Sequence, residues 1–257
     1  VCESVVDCVN KTAPVVDYET PYKMIRTTNV KKGVVNLKGA RYVEEQTFEK
    51  WTRRVVPKVG DVILTREAPL GDVGMITTPN EKIFLGQRLM QYRANPEKLD
   101  SKFLLYALQE SFMQGQIKAG ASGSTVEHIR VGDAENLKIK LPNLKNQKDL
   151  GQLLYQYDNL IENNNRRIAI LEDMAQSLYR EWFVKFRFPG HENCKFKDSA
   201  LGQIPGGWEA KTLKNILELV YGKALKKGDR KGGDIAVYGS GGLGGFHDKA
   251  LVTGPVI

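Results

Sequence analysis

Residues 150–182 read LGQLLYQYDNLIENNNRRIAILEDMAQSLYREW, and their spacing decides the fold. Leu150, Leu154, Tyr157, Ile161, Asn164, Ile168, Leu171, Ala175, Leu178 and Trp182 follow one another at alternating steps of four and three, and all but Asn164 are apolar. This is a heptad seam at about 3.5 residues per turn, which keeps one stripe of a helix facing a partner helix. Asp158, Glu162, Arg166, Arg167, Glu172, Asp173 and Arg180 lie between the seam positions, as a solvated outer face requires. From about Asn146 to Lys185 the helix would run roughly 60 Å. A compact domain of ~140 residues is only about 35–40 Å across, so the helix pairs with another helix rather than lying along its own domain. Asn164 either fixes the register of that pairing or tilts to the surface.

Upstream of the seam the texture is different. Residues 1–98 hold short β-type runs broken by turn residues: Lys23–Arg26, Gly33–Leu37 and Asp61–Thr65. Short strands at close spacing, punctuated by Gly and Pro, read as an irregular antiparallel domain. Asp100 is placed to cap a helix carrying Phe103, Leu104, Ala107, Leu108 and Phe112, with Gly120 as its stop. Leu137–Leu141 reads as a closing strand ended by Pro142. Downstream of Phe188-Pro189-Gly190 a polar connector runs to Ile204-Pro205-Gly206-Gly207-Trp208. A short helix is expected from Thr212 to Leu219, then a basic loop from Lys223 to Lys231 and a Gly-rich stretch. The class is therefore α+β: an irregular, mostly antiparallel β-rich domain with a few helices (1–141), one long coiled-coil-type helix (142–188), a linker (189–206) and an incomplete second α+β domain (207–257).

Composition narrows the function classes. The chain has 257 residues, 41% hydrophobic and 26% charged, which are ordinary globular values. No run approaches the ~18 consecutive apolar residues of a membrane span, and the start lacks a signal peptide's basic and apolar regions. The start at Val1-Cys2-Glu3-Ser4 and the stop at Val256-Ile257 read as those of a segment of a longer protein. Cys2, Cys8 and Cys194 are odd in number with no C-x-x-C pair, which disfavours zinc knuckles and a disulfide framework and fits a reducing cytoplasm. The net charge is +8. Residues 1–141 hold 21 Lys+Arg against 17 Asp+Glu, residues 142–188 hold 7 against 6, and residues 189–257 hold 10 against 7. The excess sits at the two ends, where it suits a polyanionic partner.

No catalytic constellation is visible. His128, His191 and His247 lie far apart without metal-ligand spacing. There is no G-x-S-x-G elbow, no P-loop lysine and no Asn/Asp-Pro-Pro-aromatic tetrapeptide of a methyltransferase. Gly239-Ser240-Gly241-Gly242-Leu243-Gly244 satisfies G-x-G-x-x-G after a strand-like Asp234–Tyr238. A dinucleotide fold needs those glycines to open a helix, and Gly245-Phe246-His247-Asp248 carries no helical pattern. A tight turn is the better account, and no cofactor is expected.

Residues able to contact DNA sit instead in the turns of the first domain. Lys11, Arg26, Thr28, Asn29, Lys31 and Lys32, Arg66, Gln87 and Arg88, and Ser122, Ser124 and Thr125 are the candidates. Arg, Asn and Gln discriminate bases by bidentate hydrogen bonds, while Ser, Thr and Lys position phosphates.

Leu141-Pro142-Asn143-Leu144-Lys145-Asn146-Gln147, Leu160–Ile168 and Leu178–Val184 together resemble the central region of type I restriction-modification specificity (S) subunits, where a proline-containing approach with a Gln leads into a helix closing in Trp-Phe-Val. Ile204–Trp208 and Val237–Gly241 resemble the opening of that family's second target-recognition domain. Gly71–Gly74 and Gly120–Thr125 resemble pieces of the first. Laying Leu213–Ala224 against Val1–Thr12 places Lys223 opposite Lys11, as a two-domain repeat would. The resemblance implies a non-catalytic subunit that reads double-stranded DNA at a bipartite site and docks adenine-methylating modification subunits and a restriction (translocase/nuclease) subunit. With the start of the first recognition domain and most of the second absent from the pattern, a homodimer through the long helix is expected. A repressor-like DNA-binding coiled-coil dimer, or the targeting segment of a fused restriction–methylation enzyme, remain alternatives.

Overall fold

The computed structural model describes residues 1–123, 126–218 and 222–252. It forms two compact units, Val1–Leu171 and Glu172–Ile257, described here in turn.

The first unit is built from β1 (Cys2–Asp7), β2 (Tyr22–Ile25), β3 (Val30–Lys31), β4 (Gly33–Val35), β5 (Arg41–Tyr42), α1 (Glu45–Thr52), β6 (Val62–Arg66), β7 (Leu70–Met75), β8 (Lys82–Leu85) and β9 (Leu89–Ala94). Then come α2 (Ser101–Gln109), α3 (Ser111–Ala119), β10 (Ala121–Ser122), β11 (His128–Ile129), α4 (Val131–Glu135) and the long α5 (Leu144–Tyr179), whose residues from Glu172 on fall in the second unit. One sheet has six strands in the order β1-β9-β6-β7-β4-β3, and a smaller one has the order β5-β2-β8. Most pairings are antiparallel; β2 with β8 and β4 with β7 are parallel.

Side-chain alternation along β6 explains the layering. Val62 and Leu64 point to one face, where they pack with Tyr92, Leu104, Leu105, Leu108, Met113 and Ile117. Ile63 points to the other, among Ile25, Val35, Ile83 and Leu89. The strand is buried on both faces, which is why it reads as a continuous apolar run rather than an alternating one. Gly74 permits the parallel β4–β7 contact, since a Cβ there would lie 2.6 Å from the Val34 carbonyl oxygen.

Two local expectations change. Asp100 does cap α2, its carboxylate accepting from the Phe103 N–H at 2.9 Å, and Gly120 does close the helical stretch. Between them the helix breaks at Glu110, which takes an extended conformation and caps α3 by accepting from the Phe112 N–H at 2.9 Å. Leu137–Leu141 forms no strand. The Gln116 side chain takes the place of a neighbouring strand, accepting from Lys138 N–H at 3.0 Å and donating to Lys138 C=O at 2.8 Å. Leu137 and Ile139 still pack on the core.

The helix α5 is capped by Asn143, which accepts from the Asn146 N–H at 2.9 Å, and starts at Leu144, two residues ahead of the expected start. After Tyr179 the helix widens into a π turn, Arg180–Val184, so Trp182 sits in that turn rather than in regular α-helix.

In the second unit β12 (Phe196–Ser199) and β13 (Gly202–Pro205) form one hairpin, and β14 (Ile235–Gly239) and β15 (Gly242–His247) another. The glycine motif is the turn of the second hairpin, not the start of a helix. The helix expected over Thr212–Leu219 is reduced to a 3-10 turn, Leu213–Asn215, and Leu219 lies outside the described residues. Leu213, Ile216 and Leu217 are exposed, and a stretch this short does not hold a helix without packing on one face.

Candidate nucleic-acid interface

Strand register gathers most of the candidate residues at one end of the six-stranded sheet. Thr65 pairs with Leu89, Arg66 with Leu70 and Asp7 with Met90. The C-terminal ends of β1 and β6 therefore meet the N-terminal ends of β7 and β9. Cys8 N–H donates to Leu89 C=O at 3.2 Å, which brings the exposed Lys11 to the same end as Gln87 and Arg88.

The Arg66–Pro69 loop is the hub. Arg66 N–H donates to Arg88 C=O at 2.8 Å, and the Arg88 guanidinium pairs with Glu67 at 3.2 Å. Thr27 Oγ1 donates to Ala68 C=O at 2.9 Å, tying in the Arg26–Asn29 loop. Arg66 Nη1 donates to Ile129 C=O at 3.2 Å, and Glu67 bridges to His128. His128 Nε2 lies 3.3 Å from Ser122 Oγ. Four separate turns, around residues 27, 67, 88 and 128, thus become one surface. Ala68 and Arg88 hold positive φ angles of 46° and 71°, so the loops adopt backbone that few side chains tolerate.

The candidates differ in what they can offer. Thr28, Lys11, Gln87 and Arg88 are exposed. Arg26 is half-buried, with Nη2 donating to Gly39 C=O at 3.3 Å. The Nε atoms of Arg26 and Arg66 are sheltered and have no hydrogen-bond partner among the described residues, an arrangement that costs free energy. Asn29 is buried, and its amide serves the loop: Oδ1 accepts from Arg26 N–H at 2.9 Å and Nδ2 donates to Asn36 C=O at 2.8 Å. Lys31 and Lys32 are exposed on the β3–β4 turn, set back from the sheet end because Gly33 pairs with Gly74. Ser124 and Thr125 lie outside the described residues. Glu67 and His128 carried no signal in the linear sequence. His128 is brought in by the pairing of Ala121-Ser122 with His128-Ile129, with Gly123 at φ 110° after the first strand.

The long helix presents two faces. Gln147, 2% exposed, accepts from Asp100 N–H at 3.1 Å and donates to Pro142 C=O at 2.8 Å. Gly151 is also buried against the start of α2. Lys102 reaches Gln152 at 2.6 Å and lies 4.7 Å over the Tyr155 ring. Tyr106 donates to Asp158 at 2.7 Å, and burial together with that bond holds its phenol above the ordinary tyrosine range. The seam is the reverse: Leu150, Leu154, Tyr157, Ile161, Ile168, Leu171 and Leu178 are exposed, Leu171 by 62%. Asn164 is exposed with them, and Trp182 is half-buried. Among the described residues no cluster of His, Cys, Asp and Glu could hold a metal ion, and no helix is long and apolar enough to cross a membrane.

This architecture is that of known DNA-specificity proteins. Residues 11–173 match the family model described as the type I restriction modification DNA specificity domain. The MjaIX specificity subunit of Methanocaldococcus jannaschii is 28% identical over 185 residues, covering 72% of this chain and 42% of the relative. The MjaVIII specificity subunit of the same organism is 32% identical over 153 residues, covering 56% and 34%. The crystal structure of the type I restriction-modification S subunit from M. genitalium shares the fold, with a TM-score of 0.59 at 20% identity over 96% of this chain and 59% of that one. The chain spans less than half the length of either curated relative. The family model covers well over half of the chain, and the chain belongs to the type I restriction modification DNA specificity family.

Proposed function

We propose that the chain reads one half of a bipartite DNA site and holds it for the adenine-methylating modification subunits and the restriction subunit, without catalysing either reaction. On this reading residues 1–141 are the first target-recognition domain, 142–188 the pairing helix and 207–257 the start of a second recognition domain; the stretch 189–206, expected as a linker, carries the β12–β13 hairpin and so is an ordered connector. One observation carries it: the loops of Arg26, Arg66 and Arg88 and the paired Ser122 and His128 are tied together at one end of the sheet, with Lys11 three residues beyond the Cys8–Leu89 bond. Arginines on such a surface suit guanine edges and phosphates, and Gln87 suits adenine. The exposed seam of α5 supports a second copy as partner, and antiparallel pairing would set two recognition domains at opposite ends of a rod longer than the ~34–36 Å between successive turns of one groove.

The test is methylation-site choice and DNA affinity of the assembled enzyme carrying Arg26→Ala, Arg66→Ala or Arg88→Ala. A lost base contact should weaken binding by ~1–3 kcal/mol and relax preference at one position. Unchanged site choice and affinity in all three variants would move the interface elsewhere. Labelled methyl transfer by the purified chain alone should read zero.

A further inference from the structure

The glycine motif at 239–244 does not serve a dinucleotide, yet it lines a concavity of about 560 Å³ in the second unit. One wall is the β14–β15 turn; the other carries Lys223, Lys226 and Arg230, and among the described residues no Asp or Glu lines it. Arg230 is laid against the hairpin, its Nη1 donating to Gly244 C=O. The glycines leave room for that approach: a Cβ on Gly244 would sit 3.1 Å from Arg230 Nη1, close enough to make the guanidinium shift by a few tenths of an ångström. Arg230 Nε is sheltered and has no hydrogen-bond partner among the described residues. The basic loop is pinned from below. Lys231 N–H donates to the buried His247 at Nδ1, 3.2 Å away, which leaves the ring proton on Nε2, 3.2 Å from Asp248.

We propose that this concavity is an anion site that takes a backbone phosphate of DNA, giving the second unit its own sequence-independent contact. Three cations and the glycine turn with Ser240 line one concavity, and among the described residues no carboxylate lines it. That is the chemistry of a phosphodiester cradle. A dinucleotide is disfavoured because no helix N-terminus follows the glycines. The assignment of the anion to DNA rests on the function proposed above; the existence of the anion site does not.

The experiment compares the chain with its Lys223→Gln/Lys226→Gln double variant, whose altered side chains are exposed, using three probes: inorganic phosphate, NAD and duplex oligonucleotides of several sequences. Amide resonances of 239–244 report site occupancy, and DNA affinity is measured across a salt series. The expected result is that phosphate perturbs those resonances in the parent chain and less in the variant. The variant should also bind every duplex several-fold more weakly, with the salt slope reduced by about 1 and the sequence preference intact. Parent-level DNA affinity and slope in a variant that has lost phosphate binding would make this a free-anion site and overturn the proposal while leaving DNA reading by the first unit standing. NAD perturbing 239–244 more strongly than phosphate would overturn it in favour of a nucleotide. A parent chain that binds no duplex at all would overturn both this proposal and the function it rests on.

Discussion

Two faces of one helix invert the usual relation between polarity and burial. Gln147 and Gly151, one polar and one without a side chain, are the buried residues of α5, whereas Leu150, Leu154, Tyr157 and Ile161 are 43–60% exposed. At 3.6 residues per turn, Gln147, Gly151, Tyr155 and Asp158 share a face lying roughly 90° around the helix from the seam. The docking face recognises a specific surface through hydrogen bonds and close approach, and Gln147 alone satisfies three backbone groups. The seam is exposed from Leu150 to Leu178, and none of its residues belongs to the core cluster on which the other face docks. Burial here follows shape and hydrogen bonding on one face, and on the other it awaits a partner.

The seam carries the largest expected effect. Each large apolar side chain brings ~1.5–3 kcal/mol when buried, and a stripe this long is not expected to stay in water on a monomer. In a two-fold pair each seam residue is used twice. Leu171→Glu should therefore weaken self-association by roughly 3–6 kcal/mol, about 10² to 10⁴-fold in Kd. Light scattering over a concentration series reads this directly. A parent chain that is monomeric at tens of micromolar, and indifferent to Leu171→Glu, would remove helix pairing and leave the seam without a role.

The docking face gives a test whose sign is diagnostic. Helix propensity alone favours Gly151→Ala by about 1 kcal/mol. A Cβ at Gly151 would lie 2.7 Å from Phe103 N and 2.8 Å from Asp100 Oδ1. These are backbone and cap atoms that cannot swing aside, so strain of ~1–3 kcal/mol should outweigh the propensity gain. Urea unfolding should show net destabilisation of about 1 kcal/mol. A more stable variant would mean that α5 does not seat on α2 at this point.

The contrast between the faces also marks what the sequence could reveal. Regular spacing was legible: the seam, β6 as an apolar run, the Asp100 cap, and the glycine motif as a turn. What depended on a single side chain replacing a backbone partner was not. Glu110 splits the expected helix by capping its second half, and Gln116 occupies the edge where Leu137–Leu141 would have paired. At the candidate interface, Arg66 and Arg88 could be singled out by residue type. The pairing of Glu67 with Arg88 and the bridge to His128 come from register between strands far apart in the chain. Asn29 shows the opposite limit, a residue of the right type for bases whose amide is used inside its own loop.

The smallest expected effect lies at the far end of the docking face. Tyr106 is half-buried, and its bond to Asp158 is the last link in the series before the seam residues stand alone. Removing one such hydrogen bond with Tyr106→Phe should lower stability near neutrality by no more than ~1 kcal/mol. The larger signature is in pH. Burial first, then the bond to Asp158, raise the Tyr106 phenol, and burial raises that of Tyr92, which donates to Ala134 C=O at 2.8 Å. The unfolded chain releases phenolic protons near pH 10, while the folded chain keeps these two to higher pH. Above pH 10 the native state therefore binds more protons than the unfolded one, so stability is fully present below that pH and falls as it rises. Tyr106→Phe deletes one of the raised groups and should make the alkaline fall shallower, whereas Tyr106→Phe and parent should run parallel from pH 7 to 9. Urea midpoints at pH 8 and pH 10.5 measure the difference. Equal alkaline slopes in the two proteins would show that Tyr106 titrates as it does in the unfolded chain, and that the docking face ends at Gly151 and Tyr155 rather than reaching Asp158.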